Sequence, residues 1–94
     1  MAEPGGAYPT SSLRVHRLKC WPECFRATRL GLKPFDVRRH DREFRVADVV
    51  ELREWDPVIG APTGETLHRV ITYILPGGSW GVNADFCVLG LGPC

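Results

Sequence analysis

At 94 residues, 44% hydrophobic and 24% charged, the chain is sized for one modest domain of ordinary globular composition, which excludes general disorder. No apolar run approaches the ~18 residues of a spanning helix and no basic segment leads into an apolar one at the start, so the expectation is a cytoplasmic protein with no membrane partner. The net charge of +1 conceals an asymmetry: residues 12–45 carry ten basic and four acidic side chains, residues 46–94 two basic and six acidic. An anionic partner is drawn to the first half of the chain.

Residues 1–12, MAEPGGAYPTSS, have no periodicity and read as a flexible tail, leaving 13–94 as the domain. LRVHRLK (13–19) alternates apolar residues (Leu13, Val15) with Arg14 and His16, the pattern of a short half-buried strand. Trp21, Cys24, Phe25 and Thr28 then recur at helical spacing, with Pro22 in the first turn and Gly31 placed to end the helix. That stripe makes Trp21 a core residue and leaves Arg26 and Arg29 on the outer face.

From Pro34 the period becomes two, so Phe35 and Val37 share one face and Asp36 and Arg38 the other. HDRE (40–43) is a polar turn. DVVELREW (48–55) and ETLHRVITYIL (65–75) are longer strands joined by the Pro- and Gly-containing loop DPVIGAPTG. The second has apolar side chains on both faces, which suits a central strand. PGGSWGVNAD (76–85) is a loop and FCVLGLG (86–92) a last strand. About five strands with one or two helices, punctuated by Gly and Pro turns, define an α+β chain whose sheet curls into a small barrel.

The chemistry-bearing stretch is GLKPFDVRRHDREF (31–44), where Lys33, Arg38, Arg39 and Arg42 lie close together, followed by Arg45. Guanidinium groups fork onto phosphate oxygens and stack on bases, and a lysine supplies a mobile point charge. Lys19 and His16, from the first strand, are placed to join them. Trp80, beside a glycine in a loop, is the candidate exposed aromatic for base stacking. The plainer alternative is that Asp36 pairs with Arg38 and that Arg42 and Glu43 form a solvated turn. Cys20 and Cys24 are spaced CxxxC and Cys87 and Cys94 are six apart, which is not the paired-knuckle spacing of a structural zinc site, so reduced thiols, no metal and no cofactor are expected. No GxSxG, phosphate-loop, HExxH or dinucleotide-binding glycine pattern is present. A protein partner on the acidic face (Glu51, Glu54, Asp56, Glu65) is a further possibility.

GLKPFDVR resembles the GxKxxExR signature of the activating signal cointegrator homology (ASCH) domains, PUA-like small β-barrels: Gly31, Lys33 and Arg38 match and Asp36 stands for the glutamate. In series, HRLKCWPECF, RRHDREFRVADVVELREWDP, TGETLHRVITYIL and FCVLGLG are similar to a phage and bacterial ASCH-like family of unknown function, in which Cys24 replaces an aromatic, His40 an Asn and Ala47 a Gly. Alanine at 47 implies a turn that avoids a positive φ. The resemblance implies a PUA-like barrel with a cleft near the GxK turn that receives RNA or a nucleotide, with Lys19, Lys33, Asp36, Arg38, Arg39, Arg42 and Trp80 as binding residues. It also implies an alternative. Some ASCH relatives are small amidohydrolases acting on acetylated cytidine and others have been proposed as ribonucleases, which would make Lys33 the catalytic group. Their threonine is replaced here by Asp36, and Glu51, Glu54 or Glu65 would have to supply the glutamate.

Overall fold

In the computed structural model, which describes residues 14–94, the chain runs β1 (Val15–Cys20), α1 (Pro22–Arg29), β2 (Phe35–Arg39), β3 (Val49–Asp56), β4 (Ala61–Pro76) and β5 (Phe86–Gly92). The expected tail, 1–12, and Leu13 lie outside the described residues. The five strands form one sheet in the order β1-β3-β4-β5-β2, with β1 and β3 parallel and the other neighbours antiparallel. Among the described residues no helix is long and apolar enough to cross a membrane.

β4, 16 residues long, is the central strand: its residues 61–70 pair with β3 and 70–76 with β5. The register slips between Arg53 and Trp55 on the first ladder and between Ile71 and Tyr73 on the second. An extra residue on one strand bends it and increases its twist, and the sheet curls into a half-barrel. The fold is a small barrel-like α+β domain, with a single short helix among the described residues.

The concave face holds the core. Leu18, Leu52 and Leu67 align across β1, β3 and β4, and Ile71 meets Leu91 on β5. Helix α1 packs on β3 and inserts Phe25, which is fully buried. Complete burial of one such side chain contributes roughly 1.5–3 kcal/mol. The helix closes with two backbone bonds, Gly31 N–H to the Thr28 carbonyl (3.0 Å) and Leu32 N–H to the Ala27 carbonyl (2.9 Å), with Gly31 at φ 78°. This double-bonded ending needs a left-handed residue, which glycine adopts without a Cβ clash. It directs the chain straight into Lys33.

Three expectations are corrected here. Of the apolar helical stripe, only Phe25 and Thr28 are buried; Trp21 is 60% exposed and Cys24 is exposed. Trp21 is the N-cap, with extended backbone (φ −72°, ψ 154°), so helical spacing does not govern its direction. On β1 the inward residues are His16, Leu18 and Cys20, and Val15 faces out. His16 is therefore withdrawn from the expected basic cluster: it is 6% exposed, with Nε2 2.7 Å from Asp48 Oδ2.

The third correction is at Ala47, whose φ is 81°. The turn is closed by Asp48 N–H to the Arg45 carbonyl (3.0 Å), while Ala47 N–H donates to the Ile71 carbonyl and Ile71 N–H to the Asp48 carbonyl, both at 2.8 Å. Asp48 Oδ2 also accepts the Arg45 N–H at 2.9 Å. These bonds hold the alanine in a conformation that its Cβ opposes.

Two stability tests follow. Ala47→Gly relieves the strain and is expected to raise stability by about 0.5–1 kcal/mol, read as a higher thermal midpoint; an unchanged or lower midpoint contradicts the assignment. Asp48→Ala leaves His16 and the Arg45 N–H without their acceptor and is expected to cost about 3 kcal/mol in denaturant unfolding. A loss below about 1 kcal/mol contradicts the role given to this carboxylate.

Candidate functional site

The site is built on β2, where the usual orientation of a strand is reversed. Asp36 faces inward at 7% exposure and Arg38 lies half-buried beside it, while Phe35 and Val37 face solvent. The two charges share a face, as the period-two pattern predicts. β2 is an edge strand, and inward-pointing charges are one way in which an edge resists pairing with another chain.

Asp36 is the hub. Its Oδ1 accepts from Lys33 Nζ at 3.1 Å and its Oδ2 from Arg38 Nε at 2.6 Å. Arg38 Nη2 then donates to the Lys19 carbonyl at 2.6 Å. β1 and β2 are the two ends of the sheet order, so this guanidinium bridges edges that no backbone ladder joins among the described residues. Lys33 Nζ spends a second donor on the Phe35 carbonyl (2.9 Å), which is ion-pair geometry rather than that of a free nucleophile.

Two cavities flank the hub. One, of about 270 Å³, is lined by Lys19, Cys20, Trp21, Cys24, Asp36, Val37 and Arg38. The other, of about 360 Å³, lies against the end of α1 and is lined by Thr28, Gly31, Lys33, Pro34, Arg69, Leu91, Gly92 and Pro93. Lys19 contributes its backbone carbonyl to the hub, while its Nζ sits 4.0 Å from the centre of the Trp55 ring, a cation–π contact beside a smaller pocket of about 90 Å³ lined by Lys19, Arg53, Trp55 and Pro62.

Of the residues expected from the sequence, Lys19, Lys33, Asp36 and Arg38 come together around the hub. Arg39, Arg42 and Trp80 line neither cavity. The Arg39 guanidinium lies 5.0 Å from the Phe86 ring centre, and Arg42 lies 5.8 Å from that of Phe44 with Nε 3.6 Å from Asp41. Trp80 is 85% exposed in the β4–β5 loop, at φ 56°, beside Gly81 at φ 79°. The glutamates weighed for a hydrolase are engaged elsewhere: Glu51 with His68, Arg17 and Arg53, Glu54 with Thr63, and Glu65 with Arg29. None of the three lines either cavity.

Sequence reading missed Trp21, Thr28 and Arg69. The signal for Arg69 was present, because a basic residue inside the apolar run of a central strand needs a reason to be there. Its Nη2 donates to the Thr28 carbonyl (3.1 Å) and its Nη1 to the His68 carbonyl (2.8 Å).

The thiols divide by burial. Cys20 and Cys87 are buried, Cys24 and Cys94 exposed, and all four are free. Burial, with Asp36 nearby, pushes Cys20 up to about 11, and burial raises Cys87 as well. Only a thiolate is nucleophilic, so Cys20 is inert despite its place in the cavity wall. Among the described residues no three His, Cys, Asp or Glu side chains are grouped to hold a metal ion.

Fold and site together define a small half-barrel domain with a cationic cleft built on an edge strand. Residues 15–91 match the model of a family described as a domain of unknown function (DUF3850), and the chain belongs to that family. A search of curated proteins finds no match.

The thiol assignment predicts that alkylation of the native protein at neutral pH modifies Cys24 and Cys94 while sparing Cys20 and Cys87, which react only in denaturant. The Cys20 proton is lost from the unfolded chain near pH 9 and from the fold near pH 11, so stability falls across that interval. Cys20→Ala is expected to flatten this fall in urea midpoints measured against pH. Fast labelling of Cys20 in the native state, or an unaltered slope in the variant, contradicts the assignment.

Proposed function

We propose that this domain is a PUA-like barrel of the ASCH type that binds single-stranded RNA or a nucleotide in the cavity between β1, the start of α1 and β2. The observation that carries the reading is Trp21. An indole that is 60% exposed lies on the wall of a ≈270 Å³ cavity whose other walls present Lys19 and Arg38. An exposed aromatic face beside cations is the arrangement by which single-stranded nucleic acids are held, the base stacked and the phosphate neutralised.

Each group has a role that its chemistry suits. Trp21 stacks a base. Lys19, whose ammonium rests over the Trp55 ring, supplies a mobile charge for a phosphate. Arg38 uses Nε and Nη2 within the protein, which leaves Nη1 for a ligand. Asp36 accepts only, and its remaining lone pairs suit the exocyclic amine of a base. The phosphate contacts carry no sequence information, so selectivity rests with the stacking face and Asp36. Gly31, Lys33 and Arg38, the positions that carry the resemblance to ASCH domains, lie on or next to this hub, which supports the relation.

Binding is preferred over a lysine-centred hydrolase because Lys33 is tied to Asp36 and the Phe35 carbonyl, and Glu51, Glu54 and Glu65 are occupied on other surfaces.

Fluorescence anisotropy with a labelled single-stranded RNA tests the reading. Trp21→Ala is expected to weaken binding about tenfold or more, given about 1–3 kcal/mol per stacked base. Lys19→Gln is expected to make the dependence of log affinity on log salt shallower by about 0.7. Equal affinity of Trp21→Ala and the unmodified protein would rule out this cavity as the stacking site.

A further inference from the structure

The ≈360 Å³ cavity at the end of α1 is distinct from the Trp21 cavity and contains three groups with unused hydrogen-bonding capacity. Arg69, half-buried, bonds only to the backbone carbonyls of Thr28 and His68, and among the described residues no carboxylate lies within ion-pair reach of it. Thr28 is 2% exposed, and its Oγ1 has no hydrogen-bond partner among the described residues. Lys33 has given two donors to Asp36 and Phe35 and retains a third.

Buried polar groups are almost always satisfied, and a charge removed from water needs a counter-charge. Thr28 and the Arg69 guanidinium line one cavity, and the Thr28 Oγ1, itself buried, has no partner among the described residues. The charged side chains that line this cavity have one sign, Lys33 and Arg69. A cation is excluded by that sign, and a neutral ligand would leave Arg69 uncompensated. The donors come from different elements, Thr28 from α1, Lys33 from the turn after it and Arg69 from β4, so they approach from different directions. A tetrahedral, acceptor-only anion meets such a set better than a planar carboxylate. Pro34, Leu91 and Pro93 supply an apolar wall for the remainder of the molecule. The volume falls within the usual range of small-ligand sites.

We infer that this cavity is a phosphate-binding site in which Arg69, Lys33 and the Thr28 hydroxyl hold the phosphate group of a phosphorylated ligand. The site does not depend on Trp21. Two sources share the chemistry, the terminal phosphate of a nucleic acid and the phosphate of a small molecule.

The test is a titration of the ¹⁵N-labelled protein at low ionic strength with inorganic phosphate, with a short RNA bearing a 5′-phosphate, and with the same RNA lacking it. Saturable shifts of the Gly31, Leu32, Lys33, Leu91 and Gly92 amides with inorganic phosphate are expected. Arg69→Gln, which keeps a donor for the Thr28 carbonyl, should weaken that binding about tenfold or more. Thr28→Val should weaken it several-fold while the thermal midpoint holds or rises, since no internal hydrogen bond is lost. Shifts that the 5′-phosphate RNA reproduces and its dephosphorylated form does not assign the terminal phosphate as the source; shifts with inorganic phosphate alone assign a small phosphorylated molecule. The inference is overturned if no probe gives saturable shifts at these amides, or if Arg69→Gln and Thr28→Val bind phosphate as the unmodified protein does. Trp21→Ala should leave phosphate binding unchanged, so failure here is distinguishable from failure of the stacking site.

Discussion

The carboxylate of Asp36, held between Lys33 and Arg38, is the interaction on which the rest of the cleft depends. It aims the Arg38 guanidinium at the Lys19 carbonyl, and that contact joins β1 to β2, the two free ends of the sheet. Had a backbone ladder closed the barrel there, the edges would lie at strand spacing and the opening would be filled. A side-chain bridge spans a wider gap. The opening that it leaves is the cavity walled by Trp21, Cys24 and Val37. Removing one partner from a buried charged cluster leaves the others uncompensated, which costs far more than a surface pair contributes.

A second buried carboxylate serves the other end of the same edge strand. Asp48 receives His16 from β1 and the Arg45 N–H from the turn before β3, and it keeps Ala47 in its unfavourable backbone conformation. β1 is thus pinned by Asp48 near its start and by Arg38 near its end. Between these pins its inward residues join the leucine row that crosses β3 and β4. The long central strand β4 carries the curl, because its bulge redirects it from β3 toward β5, and it carries Arg69 to the second cavity.

Much of this was legible in the sequence. The strand and helix order followed from periodicity and from the Gly and Pro turns, and β5 over 86–92 matched residue for residue. The shared face of Asp36 and Arg38 followed from the two-residue period. Periodicity says which residues share a face without saying which face is inside, so the inward turn of charged Asp36 and the outward turn of Phe35 and Val37 could not be read from it. The same limit reversed β1, where His16 is inside because a buried partner, Asp48, awaits it 32 residues later in the chain. Trp21 failed for a different reason: the 3.6-residue period was extended one position past the helix start, to a cap residue that does not obey it. Ala47 was misread because residue type was taken to govern φ, while hydrogen bonds to Ile71 and Arg45 override it. Thr28 and Arg69 meet only through tertiary structure, 41 residues apart.

The proposed binding of a nucleic acid is tested most directly by a chemical-shift map of the labelled protein with a short single-stranded RNA. The account predicts movement of the Trp21 indole N–H and of the Cys20, Cys24, Val37 and Arg38 amides, with the Trp80 indole unmoved. Shifts confined to Trp80 and the Arg39–Arg42 segment, or no shifts at all, would contradict it.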